Sequence, residues 1–217
     1  MRDQLVLAMN IELFSESRLA QTAKLFSDLF EDPSRFAYHG TSTLFSGEIE
    51  ANGFKYPFAP VPPEDLLALA ESLPEAEAGL ASTLRAAVRP TRLGFSPYSY
   101  VAVDYALTGG GQVVRICKQA VDAGGQPSQA MMARFRTLAA AEPCVYAVDL
   151  GEAHELDLAF GNLFIQCSSP VPPSRIVAKM VLPSNFDVLK LRPLQSLRPP
   201  RFAADEPGAF VAKLRRA

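Results

Sequence analysis

No run of apolar residues in this sequence approaches the ~20 that a membrane-spanning helix needs, which excludes a segment of that kind. The opening stretch, MRDQLVLAMNIELF, mixes Arg2 and Asp3 with a short apolar run and then Glu12, and so lacks the pattern of a secretory leader. Cysteine is scarce. Cys117, Cys144 and Cys167 are odd in number, far apart and without companion histidines, which argues against both a disulfide framework and a zinc site; no metal is expected. An excess of charge of one sign is missing as well. A net charge of -2 and a pI near 5.8 supply no basic field for a phosphate backbone, so composition leaves a nucleic-acid partner unsupported, though not excluded. There is no internal repeat and no low-complexity segment. Residence in a reducing cytoplasm is the expectation, either of the producing cell or of a target cell reached by a delivered effector.

What remains is an ordinary globular composition, 48% hydrophobic and 20% charged. A length of 217 residues fits one domain over 1–217 with one active cleft. Leu19, Ala23, Phe26 and Phe30 recur at helical spacing and predict a helix over 16–30, ended by Asp32 and Pro33. Arg35 to Gly40 reads as a short strand. Ser46 is placed to cap a second helix reaching Asn52, with Gly53 as its left-handed stop. A proline-rich connector from Lys55 leads into a helical insertion at about 57–90, broken at Pro74. Further along, Leu93–Ser96 reads as a strand, Ser99–Leu107 as a helix, and the β-branched run Gln112–Cys117 as a strand. Met131–Ala140 reads as a helix, and Cys144–Leu150, Leu163–Gln166 and Arg175–Leu182 as strands. The segment 184–217 is a proline-containing tail with a short amphipathic helix at Ala209–Leu214.

Three segments carry the functional signal. In YHGTSTLFSGEIEANGF, Tyr38 to Phe54, a strand end presents an imidazole, a naked backbone and a hydroxyl together, which suits a polar ligand in close approach. The segment resembles the first motif of the ADP-ribosyltransferase superfamily, in which strand-HGT precedes a short helix containing Ile and then Gly-Phe. Ile49, Gly53 and Phe54 stand at that spacing. By this resemblance His39 would bond a ribose hydroxyl of NAD, Gly40 would hold the nicotinamide carboxamide, and Thr41 would lie beside them. The plain alternative is a satisfied strand-end histidine and a turn glycine.

Leu93 to Ile116 resembles the middle motif, a strand ending near Ser96 followed by a helix of the form A..YA and a strand; Ala102, Tyr105 and Ala106 match that helix. An aromatic ring from this region would stack on the nicotinamide, with Tyr98 and Tyr100 as candidates and Tyr105 as a packing residue. Gly161 to Pro183 resembles the third motif, in which cleft residues precede Pro-Pro and then Ile. Here the sequence departs from the family. Where many active members carry a catalytic Glu, Asn162 stands, with Gln166 at the strand end, and an amide cannot offset the developing charge of a ribosyl cation. Glu152, Glu155 and Asp157 lie just upstream, in a loop of the kind that supplies the acid in divergent members; Asp157 is the first choice and Glu155 the second. Glu155 stands two before Asp157, a spacing that in the family marks arginine-directed transfer.

The resemblance spans about 35–183 and implies an α+β fold: a split β-sandwich with a cleft, antiparallel-rich sheets, few and peripheral helices, and a helical insertion flanking the cleft. It implies mono-ADP-ribosyl transfer from NAD to a macromolecule, with a protein as the expected target. Two other readings stay open: a family member that has lost chemistry and acts by binding, which Asn162 favours, and a tRNA 2-phosphotransferase. The latter needs a basic phosphate-gripping segment that nothing before Arg35 supplies.

Overall fold

The computed structural model describes residues 9–22, 24–32, 35–55, 60–88, 93–107, 111–151, 165–183 and 186, together with the backbone of 158–160. Seven strands among them form two sheets. The first joins β1 (Asn10–Glu12), β7 (Ile176–Val181), β4 (Pro143–Asp149) and β2 (Phe36–Ser42) in the order β1-β7-β4-β2. The second joins β3 (Leu93–Phe95), β6 (Ile165–Cys167) and β5 (Leu158–Phe160) in the order β3-β6-β5. Every pairing is antiparallel except that of β1 with β7.

Alternation along the central strands explains the layering. Val145 and Ala147 of β4 face one way with Tyr38, Ala178 and Met180, under a cover made by Leu25, Phe26 and helix α5 (Ser99–Leu107). Cys144, Tyr146 and Val148 face the other way, against Ile49 of helix α2 (Ser46–Asn52), Phe54, and Phe95, Ile165 and Cys167 of the second sheet. Burial on both faces is why β4 reads as a continuous apolar run.

A third core is helical. α3 (Pro63–Glu71), α4 (Ala78–Ala87), α6 (Gly111–Asp122) and α7 (Gln129–Ala140) close over Leu66, Leu69, Leu84, Val114, Cys117, Met131 and Leu138. The insertion therefore covers its apolar faces with α6 and α7, and Phe45, just past β2, is its half-buried link to the sheet.

Several expectations need correction. Gln112–Cys117 is helix, not strand: Val114, Cys117 and Ala120 recur every three residues and are all fully buried, so helical burial overrides β-branched preference. Helices are not few. They make up about 52% of the described residues against 21% strand, because the insertion recruits α6 and α7 into a layer of its own. The first helix, α1, covers only Glu16–Thr22. Beyond it the amide of Phe26 donates to Glu31 and that of Ser27 to Glu12, so carboxylates take donors that a helix would have used internally. Strand β1 has no forerunner in the sequence pattern, and Leu158–Phe160 is a strand where that pattern suggests a loop. Ser46 is the first residue of α2 instead of its cap, and its hydroxyl accepts from Tyr146 at 2.9 Å. The tail helix at 209–214 lies outside the described residues. No helix among the described residues is long and apolar enough to cross a membrane.

Candidate functional site

The first and third motifs meet in space. Gly53 takes φ 73°, and a Cβ there would stand 2.1 Å from the Val171 carbonyl oxygen, so only glycine lets α2 end this close to the later chain. The next residue, Phe54, exchanges both backbone hydrogen bonds with Val171, at 2.8 and 2.7 Å. Phe54 then forms the floor under His39, with ring centroids 4.7 Å apart.

The first and second motifs meet at the edge of β2. Tyr38 exchanges both backbone bonds with Ser96, at 2.7 and 2.8 Å, and this isolated bridge is the seam between the two sheets. Antiparallel bonds alternate from one side of a strand to the other. His39 and Thr41 therefore turn their backbone groups to β4, while Gly40 turns its N–H and C=O to the same edge as Tyr38. At Gly40 the pairing stops. No bridge joins it to Gly94, the residue that continued register would set opposite, and the two sheets part.

His39 lies where the two strands part, beside Gly94. Its Nδ1 lies 2.9 Å from the Gly94 carbonyl oxygen, which can only accept, so Nδ1 carries the proton and Nε2 is left as an acceptor. Phe95 lies edge-on at 5.6 Å on the second side of the ring. Desolvation pushes the imidazole pKa below its ordinary value, an effect only partly offset by the Gly94 bond, and the ring is neutral at neutral pH. Gly40 is packed flush against α5: a Cβ would fall 1.7 Å from the Ala102 carbonyl oxygen and 2.7 Å from the Ala106 nitrogen. Thr41 is 1% exposed and its hydroxyl has no hydrogen-bond partner among the described residues.

Ser96 is buried, and its hydroxyl accepts from the amide of Tyr98 at 3.0 Å, which fixes the turn into α5. Tyr98 and Tyr100 follow, half-buried, with ring centroids 5.8 Å apart and planes at 31°. They are already in mutual contact range, so a ligand ring would stack on an outer face and not between them. Burial raises both phenol pKa values, and both hydroxyls stay protonated. In the second sheet Gln166 is exposed and stands opposite Gly94 on one side and Ala159 on the other. Glu152, Glu155, Asp157 and Asn162 lie outside the described residues.

The sequence motifs single out His39, Gly40, Ser96, Tyr98 and Tyr100 separately; the structure brings His39, Gly40 and Ser96 to one seam and ties Tyr98 to Ser96, whereas Tyr100 packs against the core on the other face of β2, with Leu25, Phe26 and Tyr38. They miss Gly94, whose carbonyl sets the tautomer of His39. A lone glycine inside a strand is the available signal, and nothing would lie within 4 Å of a Cβ there. Cys117, Cys144 and Cys167 are buried free thiols, and no cluster of three His, Cys, Asp or Glu among the described residues is placed to hold a metal ion. The chain matches no protein-family model, no curated protein and no solved structure.

Proposed function

We propose that this chain is an ADP-ribosyltransferase-like enzyme that takes NAD into the split between β2 and β3 and transfers its ADP-ribose to a macromolecule, with a protein as the expected target. The observation that carries the reading is the edge of β2 at Gly40, where one N–H and one C=O turn away from β4 without a ladder partner among the described residues, with Gly111 at the start of α6 near the C=O. A carboxamide is the complementary group, since its oxygen accepts from an N–H while its NH2 donates to a C=O. Beside that edge His39 offers Nε2 as an acceptor to a ribose hydroxyl. Tyr98 or Tyr100 supplies a π face for a cationic pyridinium ring.

In this reading NAD supplies the glycosidic bond that breaks and an electrophilic ribose carbon. The chain binds the nicotinamide end, orients the ribose and supplies negative charge as the bond to nicotinamide breaks. Asp157, or Glu155 as second choice, gives that charge, and Asn162 contributes positioning by holding a hydroxyl. Nicotinamide release followed by mass spectrometry tests the reading. Asp157→Asn keeps shape and removes charge, and should lower turnover by about 100-fold or more with NAD affinity nearly intact, whereas Asn162→Ala should weaken both together. Asn162 in place of the usual acid favours a second reading, a binding protein of the same fold without chemistry. No nicotinamide release from the wild type, across candidate targets, removes the transferase and selects that second reading, a partner inhibitor or scaffold.

A further inference from the structure

Glu31 lies between β2 and helix α5 and belongs to neither. Its Oε1 accepts from the amide of Phe26 at 2.7 Å and from the hydroxyl of Ser99 at 2.6 Å; Ser99 in turn accepts from the amide of Leu25 at 3.3 Å. Ser99 is the first residue of α5 and sits between Tyr98 and Tyr100. The second oxygen, Oε2, lies 3.3 Å from the hydroxyl of Tyr38, the residue that makes the Ser96 bridge and precedes His39.

Protons can be counted across this group. A phenol has one, and the 2.7 Å contact of the Tyr38 hydroxyl with the Phe30 carbonyl takes it, because a carbonyl cannot donate. The Ser99 hydroxyl, which accepts from the Leu25 amide, gives its own proton to Oε1. An ionised Oε2 would then face the lone pairs of the Tyr38 oxygen, whereas a protonated one would donate to them.

We propose that Glu31 is a proton-dependent clamp: as a neutral acid it ties β2 at Tyr38 to the first turn of α5 at Ser99, and loss of its proton breaks the tie at Tyr38 while the Ser99 hydroxyl stays bonded to the carboxylate. The charged groups around it fit this assignment. Lys24, which feels the Glu31 charge, is paired with Asp28 at 2.6 Å, and Arg18 with Glu12 at 3.5 Å. Asp32, next in the chain, and Tyr38 carry no positive charge. Burial is the largest influence and raises the Glu31 carboxyl above its ordinary range, against the lowering effect of Ser99, the Phe26 and Leu25 amides and Tyr38. The clamp concerns the protein without any ligand and goes beyond the NAD reading, so either can fail while the other stands.

The sign of the linkage follows. A raised folded-state pKa contributes stability that is complete below the ordinary glutamate value and is lost as pH rises through the folded value. His39, with a lowered pKa, acts oppositely, but it is present in both proteins of the comparison and cancels in their difference. The test is the melting temperature of wild type and Glu31→Gln from pH 4 to 8. Glutamine keeps one acceptor for Ser99 and Phe26 and one donor for Tyr38, so it mimics the neutral acid. Expected is a wild-type melting temperature that falls, relative to Glu31→Gln, by about 3–5 °C for each pH unit crossed before levelling. Hydrogen exchange of the peptide around Tyr38 should rise with pH in wild type relative to Glu31→Gln. Parallel curves overturn the clamp. Should Glu31→Gln fail to fold, wild-type protein carrying 13C at the Glu side-chain carboxyl, assigned by the signal lost in Glu31→Asp, decides the matter: titration above the ordinary range supports the clamp, and titration at or below it refutes it.

Discussion

Replacing Gly40 with alanine tests how the β2 edge is held. The added Cβ would lie 1.7 Å from the Ala102 carbonyl oxygen and 2.7 Å from the Ala106 nitrogen, both backbone atoms of α5, so no rotamer change relieves the contact. Strand and helix must part by about 1.5 Å to restore normal carbon–oxygen spacing, in the middle of the core that Tyr38, Ala102 and Ala106 share. Overpacking of this kind costs about 1–3 kcal/mol and occasionally more, and a rigid partner on both sides puts Gly40→Ala at the upper end. For a chain of this size that is a melting temperature lower by about 6–12 °C. Gly47 is the matched control, because it sits within α2 where a Cβ would meet nothing within 4 Å, and alanine there should stabilise by about 0.5–1 kcal/mol. Differential scanning calorimetry of both variants reads the contrast. A Gly40→Ala protein as stable as wild type, or one no worse than Gly47→Ala, would refute the close approach of β2 to α5.

His39→Ala should weaken NAD binding by about 1–3 kcal/mol, measured by isothermal titration, since a polar group of the ligand loses its partner. Its effect on stability has a defined sign: the lowered imidazole pKa contributes stability above the ordinary histidine value that is lost as pH falls, so the acid-side decline of the wild type should be shallower in His39→Ala. Burial raises the thiol of Cys117 to about 12 and that of Cys144 to about 11, so neither should react with an alkylating reagent at pH 7 in the folded protein, and both should react at once in denaturant. Rapid native labelling of Cys117 or Cys144, read by mass spectrometry, would contradict their placement in the cores.

Local chemistry makes part of this fold legible. Much of the segment from Phe36 to Phe54 can be read because its residues obey local rules: Phe36 and Tyr38 suit a pleated strand, and Gly53 is the one residue type that takes φ 73° without strain. Long-range compensation is not legible. Val113, Val114 and Ile116 favour a strand by type, and only the helical layer formed with α3, α4 and α7, all remote in sequence, makes a buried helical stripe the better solution. The same holds for Glu31, which sequence alone presents as one more acid before a proline; its partners Tyr38 and Ser99 are 7 and 68 residues away. His39 and Gly40 can be named from the motif, but the direction of the Gly40 backbone depends on the Tyr38–Ser96 bridge, which no local pattern encodes.

The account turns on the backbone of Gly40 meeting a carboxamide, and its amide resonance reports this directly. In a 15N-labelled sample, with the Gly40 peak assigned, NAD and free nicotinamide should each shift that resonance saturably, whereas ADP-ribose, which lacks the carboxamide, should move His39 and leave Gly40 nearly unchanged. A Gly40 amide that ignores nicotinamide and NAD at millimolar concentration, or that answers ADP-ribose equally, would contradict the proposed site.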